Sequence, residues 1–293
     1  MTSTSKTIIF FGTDSFSVSA LQHLITAGHT IGAVVTKPDA RSGRGQQLTA
    51  PAVKQLAQQH DIPVWQPTDI REIIEPVSQF SDPVGVLSSY GRIVPQEIID
   101  LFTPGIINVH PSLLPLYRGP SPIESAILNG DRETGVSIMQ LSLAMDAGPI
   151  YVQKTYALDG TETQPMLYET LARLGSEQLI EHLPAILDGS LTPSEQTGEP
   201  TYSRLLQKTD ALVDPLAQPA EAIVRHIRAY LTFPKTKLTL LDQLVTITAA
   251  HTSDERMSPL DVTCQDGKYL VIDELIAPSG RRMDGQAFLN GYN

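Results

Sequence analysis

The sequence predicts a doubly wound α/β domain followed by a small β-rich domain. Short apolar runs alternate with amphipathic helical stretches over about the first 190 residues, which is typical of a mostly parallel sheet covered by helices. From residue 237 onward, apolar runs separated by turn residues indicate a small barrel or sandwich. We therefore expect a first domain at 1–190, a linker at 191–209 and a second domain at 210–293.

The first strand–helix–strand unit has the clearest local pattern. Residues 7–11 form an apolar, β-rich run, and Ser15 is a suitable helix N-cap. Apolar residues then follow with helical spacing as far as Gly28, a suitable helix end, and a second apolar run covers residues 31–36. Two strands joined through a helix are expected to be parallel, with a right-handed crossover.

The alternation of strands and helices continues through the first domain and changes near residue 190. The other predicted helices span residues 51–60, 70–80, 121–128, 163–187 and 219–230. The other predicted strands span residues 62–65, 84–87, 105–109, 136–141, 150–156, 238–241, 244–249, 260–264 and 269–276. The glycines and prolines that mark the linker are Gly189, Pro193, Gly198 and Pro200.

Composition excludes several classes of protein. With 41% hydrophobic and 18% charged residues, the chain is not a disordered one. Its single cysteine, Cys264, rules out an internal disulfide and favours the cytoplasm. No segment approaches the roughly 20 apolar residues of a membrane-spanning helix, so we expect no membrane partner. With a net charge of −11, the protein is not expected to hold a partner through a broad positively charged surface of its own. A local basic patch can still bind nucleic acid.

Asn108 and His110 are the strongest local candidates for functional residues. They lie two residues apart in a predicted strand, so they share one of its faces. Pro111 discourages further pairing and places both at the carboxyl end, where ligands of open α/β sheets bind. An amide can stabilise an oxyanion and an imidazole can move a proton, as acyl-type transfer requires. An ordinary polar strand end explains the same pattern equally well.

Three loops add weaker signals. Asp146 lies in a turn between two predicted strands, which is ordinary turn chemistry unless it approaches His110. Residues 112–122 contain three prolines and a glycine, which predicts an ordered irregular connection. The loop 36–47 is rich in glycine and locally basic, which fits either a phosphate-bearing partner or a solvated surface loop. The histidines are scattered and give no metal-binding pattern.

Together these residues resemble the formyltransferase family that uses 10-formyltetrahydrofolate. The order Asn108, His110, Asp146 matches that family's catalytic trio, and residues 108–119 fit its central motif. The first turn, the basic loop and the closing stretch are similar to members that act on methionyl-tRNA; these segments are residues 9–16, 37–45 and 277–291. The resemblance extends over nearly the whole chain.

The resemblance implies a Rossmann-like first domain and an OB-like second domain that contacts tRNA. It also implies formyl transfer from 10-formyltetrahydrofolate, as co-substrate, to the α-amino group of methionyl initiator tRNA, for translation initiation. Asn108 is then expected to stabilise the oxyanion, and His110 to support it or relay a proton. Asp146 is expected to orient His110 and to help accept the amine proton. This chemistry requires no metal.

Two segments at the same predicted sheet edge are expected to line the folate pocket: Ser112, Leu113, Leu114 and Pro115, and Ser88, Ser89, Tyr90 and Gly91. The basic residues Lys37, Arg41 and Arg44 are expected to contact tRNA, in a loop that is mobile until a polyanion orders it. Residues 210–293 carry three more acidic than basic residues, whereas the family often has a basic surface there. We expect a monomer.

Other functions predict different features. A formyltransferase for glycinamide ribonucleotide has no reason to carry a second domain, and one for a nucleotide amino-sugar does not explain Arg44 or the closing stretch. A non-catalytic folate- or RNA-binding module predicts the loss of at least one member of the trio. A dinucleotide-dependent oxidoreductase requires a glycine fingerprint, and Leu48 stands where its third glycine or alanine belongs.

Overall fold

The computed structural model describes residues 6–42, 45 and 47–292. The α-helices of this part of the chain are α1 Ser15–Thr26, α2 Ala52–Gln59, α3 Ile74–Ser78, α4 Gln96–Ile99, α5 Pro122–Asn129, α6 Gln164–Leu187, α7 Ala220–Ala229 and α8 Gly285–Tyr292. The 3-10 helices are Ile70–Ile73 and Lys208–Ala211.

The strands of the same residues are β1 Ile8–Gly12, β2 Ile31–Val35, β3 Ala40–Ser42, β4 Gln47–Thr49, β5 Val64–Trp65, β6 Val84–Ser88, β7 Ile106–His110, β8 Glu133–Gln140, β9 Ile150–Ala157, β10 Lys237–Leu240, β11 Gln243–Ser253, β12 Val262–Thr263, β13 Tyr269–Ile276 and β14 Arg282–Asp284.

The large sheet has seven strands in the order β5-β2-β1-β6-β7-β8-β9. The four pairs from β5 to β7 are parallel, and β8 joins β7 antiparallel. Strands β1, β6 and β7 are buried along their whole length, as expected for strands covered on both faces. The order reverses direction between β1 and β6, and open α/β sheets bind ligands at the carboxyl ends of the strands at such a point.

The smaller sheet has five strands, in the order β10-β11-β13-β12 with β14 added to β13, and these strands pair antiparallel. Helices α7 and α8 contribute Ile223, Ile227 and Phe288 to the buried core of this sheet. The predicted fold class is therefore confirmed: a mostly parallel, Rossmann-like α/β sheet followed by a small antiparallel β domain of OB-like character.

Packing divides the chain into two compact units that are not contiguous in sequence. The first contains the residues up to Pro120, Thr134–Tyr156 and Tyr168–Tyr202. The second contains Ser121–Glu133, Ala157–Leu167 and the residues from Ser203 onward. The predicted domain boundaries at residues 190 and 210 stay a prediction, because a unit defined by packing need not be continuous in sequence.

The structure corrects several local predictions. The N-cap of α1 is Asp14 rather than Ser15, because the Asp14 carboxylate accepts hydrogen bonds from the N–H groups of Phe16 and Ser17. The antiparallel pair β3–β4 was not predicted; β3 and the first residue of β4 lie in the predicted loop 36–47. The predicted helix 70–80 divides into a 3-10 turn and the short helix α3, and the predicted strand 260–264 shortens to β12.

The described ranges hold neither a membrane-spanning helix nor a group of metal-binding side chains. None of the helices there is both long and apolar enough to cross a bilayer. In the same residues, no group of three or more histidine, cysteine, aspartate or glutamate side chains is placed to hold a metal ion.

Candidate active site

Strand β7 presents Asn108 and His110 on one face at the carboxyl edge of the sheet. In register, Asn108 lies between Leu87 of β6 and Met139 of β8. The intervening Val109 points to the opposite face, where it packs so tightly against α6 that a Cβ at Gly175 would lie 2.6 Å from its methyl group. The alternation of a regular strand therefore holds the two polar side chains together.

The side-chain amide of Asn108 is buried and has no hydrogen-bond partner among the described residues. The residue is only 5% exposed, yet its side chain makes no hydrogen bond within the described part of the chain. Nearly all buried side-chain amides are hydrogen-bonded to protein or water. The Asn108 amide is thus a polar group held in place and available to a group that enters the crevice.

His110 has a hydrogen-bond acceptor beside each ring nitrogen. Its Nε2 lies 3.2 Å from the backbone oxygen of Tyr117, and its Nδ1 lies 3.7 Å from Asp146 Oδ1. A carbonyl oxygen can only accept, so Nε2 carries the proton in the contact with Tyr117. In the neutral ring Nδ1 is then the nitrogen without a hydrogen, and it lies beside a carboxylate oxygen.

Asp146 is held in its turn by backbone contacts from distant residues. Its Oδ2 accepts a 2.8 Å hydrogen bond from the N–H of Gly119, which leaves Oδ1 facing His110. The backbone φ of Asp146 is +48°, in the left-handed region that non-glycine residues rarely adopt. At Gly148, a Cβ would overlap the backbone oxygen of Gln140, so only glycine fits there. The turn therefore places Asp146 beside His110, which local sequence patterns did not establish.

The loop that follows β7 is fixed to the sheet by two side chains. Ser137 Oγ donates to the Ser112 carbonyl at 2.6 Å and accepts from the Leu114 N–H at 3.1 Å. Gln153 Nε2 donates to the Leu114 carbonyl at 2.8 Å. Ser112 and Leu114 are buried in the protein, whereas Leu113 and Pro115 are half-buried. Of the four predicted folate contacts in this loop, only the side chains of Leu113 and Pro115 are partly open to a ligand.

The turn after β6 is fastened by the turn after β1. Thr13 Oγ1 donates to the Tyr90 carbonyl at 2.8 Å, and Ser89 Oγ donates to Asp14 Oδ2 at 2.6 Å. Ser88 and Tyr90 are buried, whereas Ser89 is half-buried and Gly91 exposed. Two residues of the predicted folate segment are therefore accessible.

Lys37 limits the space beside the turn after β6. Gly91 has a φ of +68°, and a side chain there would collide with the ammonium of Lys37. Lys37, predicted to contact tRNA, thus lies beside a predicted folate residue.

Tyr168 lies beside the N-terminus of α1, where its hydroxyl oxygen accepts a hydrogen bond from the Phe16 N–H. Burial raises the pKa of the Tyr168 hydroxyl and the Asp14 carboxylate raises it further, so Tyr168 remains neutral.

The basic loop is anchored at its base. Lys54 Nζ lies 2.9 Å from both carboxylate oxygens of Asp39 and 2.7 Å from Gln66 Oε1. Gln66 Nε2 in turn donates to the Lys37 carbonyl at 2.8 Å and to Asp39 at 2.7 Å. The one acidic side chain of the loop is therefore neutralised. Arg41 lies exposed in β3, and Arg44 lies outside the described residues.

Sequence reasoning missed one part of the site. Ser194, Gln196 and Thr201 belong to the predicted linker, yet they form hydrogen bonds with the first domain. Ser194 bonds Ile150, Gln196 bonds the Asp146 backbone, and Thr201 bonds Tyr117, whose carbonyl contacts His110. Glycine and proline around them are the usual marks of a linker, and no motif in the sequence distinguishes Gln196. Gly119 was noted only as part of a motif, although its N–H holds Asp146.

Sequence profiles of known families match both halves of the chain. The profile described as Formyl transferase matches residues 5–183, and the profile described as Formyl transferase, C-terminal domain matches residues 205–293. The chain belongs to the formyl transferase family. It is an enzyme that transfers formyl groups, and the family takes these groups from 10-formyltetrahydrofolate.

Curated members of the formyl transferase family are similar over almost the entire length. A protein of Myxococcus xanthus (strain DK1622) named methionyl-tRNA formyltransferase is 38% identical, over 97% of this chain and 95% of its own. A protein of the same name from Janthinobacterium sp. (strain Marseille) is 37% identical, over 97% of each chain.

Solved structures of formyl transferases and related proteins share the fold at low sequence identity. WlaRD, described as a sugar 3N-formyl transferase in the presence of dTDP and 5-N-formyl-THF, has a TM-score of 0.68 at 18% identity, over 91% of this chain and 96% of its own. HypX from Aquifex aeolicus in complex with tetrahydrofolic acid also has a TM-score of 0.68, at 17% identity. This chain is covered to 97% but spans only 47% of HypX.

Proposed function

We propose that this enzyme transfers the formyl group of 10-formyltetrahydrofolate to the α-amino group of methionyl initiator tRNA, for translation initiation. The observation that carries the proposal is the arrangement of Asn108, His110 and Asp146 at the carboxyl edge of the large sheet. It offers an unpartnered amide donor and, beside it, an imidazole–carboxylate pair. The acceptor is supported by relatives named methionyl-tRNA formyltransferase that match 97–99% of this chain at 35–38% identity.

Asn108 acts on the oxygen of the formyl group. The lone pair of the amine attacks the formyl carbon, a C–N bond forms, and the carbonyl electrons move onto the oxygen. The Asn108 amide donates a hydrogen bond to this oxygen, whose charge is larger in the transition state than in the substrate. A donor of this kind lowers the barrier by about 3 to 4 kcal/mol. When the carbonyl re-forms, the bond to N10 of the folate breaks.

His110 and Asp146 manage the proton that the amine loses. Nε2 of His110 is committed to the Tyr117 carbonyl, so Nδ1 is the nitrogen that accepts a proton. The imidazolium formed in this way faces Asp146 Oδ1 at 3.7 Å, and the carboxylate stabilises its charge. The same proton can then pass to the departing N10, so that each atom regains its normal valence.

Folate contacts are proposed for the two predicted segments. The supporting observations are their position after β7 and β6 and the partly open side chains of Leu113, Pro115 and Ser89. The remaining predicted residues, Ser112, Leu114, Ser88, Tyr90 and Gly91, are proposed to shape the pocket through their backbone.

tRNA contacts are proposed for Lys37, Arg41 and Arg44. Because Lys54 neutralises Asp39, the loop presents positive charge to an approaching phosphate backbone. Replacement of Arg44 by alanine is expected to weaken the use of methionyl-tRNA while folate binding is kept. We further propose that the C-terminal domain, residues 210–293, contacts the tRNA, and that the enzyme acts as a monomer in the cytoplasm.

The deciding experiment is a formylation assay with purified enzyme and 10-formyltetrahydrofolate. Initiator methionyl-tRNA, elongator methionyl-tRNA and a dTDP-linked amino sugar are supplied separately as acceptors. We expect formyl-methionine only on the initiator tRNA, and a fall in kcat of at least about 100-fold for Asn108→Ala, His110→Ala and Asp146→Ala. Formylation of the sugar in preference to tRNA would overturn the proposed acceptor. Full activity in all three folded variants would overturn the proposed site.

A further inference from the structure

The side chain of Gln196 contacts the turn that carries Asp146. Its Nε2 donates to the backbone oxygens of Asp146 and Gly148, each at 2.8 Å. Its Oε1 accepts from the Arg118 guanidinium, at 3.1 Å from Nε and 2.7 Å from Nη2. Gln196 lies 50 residues after Asp146, in a segment that the sequence marks as a linker.

The orientation of the Gln196 amide is determined by its partners. A guanidinium can only donate and a carbonyl can only accept, so Oε1 must face Arg118 and Nε2 must face the turn. All four contacts are satisfied in this orientation and none in the reverse one. The amide therefore joins the Arg118 side chain to the backbone on both sides of residue 147.

The backbone around Gln196 is held on both sides. Ser194 and Ile150 exchange N–H···O hydrogen bonds of 2.7 and 2.8 Å, which attach the segment to the start of β9. Thr201 accepts from the Arg118 N–H at 2.9 Å through its carbonyl, and from the Tyr117 N–H at 2.8 Å through its hydroxyl. The segment is thus fixed to the turn and to the loop that supplies Tyr117.

The Asp146 turn and the loop with Tyr117, which this segment holds, both determine the geometry at His110. Asp146 has a left-handed φ of +48° and Tyr117 one of +56°, conformations that persist in non-glycine residues only when their surroundings impose them. Asp146 supplies the carboxylate next to Nδ1, and Tyr117 supplies the carbonyl next to Nε2. A shift of either changes the environment of the imidazole.

We propose that Gln196 is a positioning residue for the formyl transfer, and that it acts by holding the Asp146 turn at its working distance from His110. The inference rests on the role of Asp146 in the proposed function. Gln196 contacts the backbone of the turn and not the Asp146 carboxylate, so we expect its loss to lower kcat through Asp146 and to leave the binding of both substrates largely unchanged.

Two substitutions separate the contacts of Gln196. Gln196→Glu keeps an acceptor for Arg118 but cannot donate to the two carbonyls. Gln196→Met removes all four contacts at nearly the same volume. We expect each variant to lower kcat about tenfold, with the KM values for tRNA and folate within about twofold of wild type, because a small displacement of a catalytic group costs up to about 100-fold. Glu195→Gln, at the exposed neighbouring position, is the matched control and keeps wild-type kinetics.

A double-mutant cycle distinguishes positioning from general stabilisation. If Gln196 acts through Asp146, then Gln196→Glu has less than about a twofold effect on kcat when Asp146 is already asparagine. An equal loss in both backgrounds would show a merely structural role and overturn the inference, as would a wild-type kcat for Gln196→Glu alone. Asp146→Asn with wild-type kcat would overturn the proposed role of Asp146 as well. Thermal melting shows that each protein is folded at the assay temperature.

Discussion

The carboxylate of Asp146 accepts a 2.8 Å hydrogen bond from the backbone N–H of Gly119, 27 residues earlier in the chain. This contact occupies Oδ2 and directs Oδ1 toward Nδ1 of His110. The φ of Gly119 is +117°, a conformation that is essentially restricted to glycine. The Gly119 N–H therefore fixes which carboxylate oxygen of Asp146 faces His110.

Gly119→Ala is expected to reduce kcat at least about tenfold. A β-carbon makes this backbone conformation unfavourable by about 1–3 kcal/mol, so the loop relaxes and its N–H leaves Asp146. Steady-state kinetics with initiator methionyl-tRNA measure the effect. Gly28→Ala is the matched control, because Gly28 also has a positive φ, +79°, with no atom within 4 Å of the added carbon. It should lose stability without losing kcat; a similar kcat for the two variants would contradict the prediction.

Asn108→Asp is expected to be at least as damaging as Asn108→Ala. The aspartate has nearly the same shape, but it replaces the amide donor with an acceptor and adds negative charge where the oxyanion forms. We expect kcat to fall by about 100- to 1,000-fold with small changes in the KM values. Single-turnover measurements of formyl transfer at neutral pH test this. An Asn108→Asp enzyme that is faster than Asn108→Ala would argue against an oxyanion contact.

Lys54→Met should raise the KM for methionyl-tRNA several-fold and leave the KM for folate unchanged. Lys54 joins Asp39 and Gln66 at the base of the β3–β4 hairpin, so its loss releases the loop and leaves the Asp39 charge unpaired. Kinetics at varied tRNA concentration and moderate salt give the measurement.

Lys6→Met provides the matched control for Lys54→Met. Lys6 forms an ion pair with Asp82 at 2.8 Å, and its side chain is 20% exposed, against 18% for the side chain of Lys54. Lys6 precedes β1 and so lies at the amino ends of the strands, away from the candidate site at their carboxyl ends. If both variants raise the KM for tRNA equally, the anchored hairpin has no special part in tRNA use.

Glu124→Gln is expected to stabilise the protein near neutral pH. Burial raises the pKa of the Glu124 carboxyl above its ordinary value of 4.5, although a hydrogen bond from Gln164 opposes the shift. From pH 4.5 up to the raised pKa, the folded protein keeps a proton that the unfolded chain has lost, so stability falls as the pH rises. Glutamine removes this dependence. Urea unfolding across this range measures it, with the exposed Glu169→Gln as control. Parallel pH curves for wild type and Glu124→Gln would contradict the prediction.

Periodicity and residue order were sufficient for several features of the protein. The alternation of apolar residues predicted β1, α1 and β2, because strand and helix faces depend on neighbours only two to four positions away. The same rule placed Asn108 and His110 on one face of β7. The turn residues after residue 237 predicted a separate small β domain.

Tertiary structure decided how the site is assembled. The approach of Asp146 to His110, the hydrogen bond from Gly119 to Asp146 and the contacts of Gln196 join residues 27 to 78 positions apart. Such distances depend on the path of the whole chain around the sheet, and no local pattern encodes that path. For this reason the sequence by itself determined which residue types are available for formyl transfer, and only the packed structure determined which of their atoms meet.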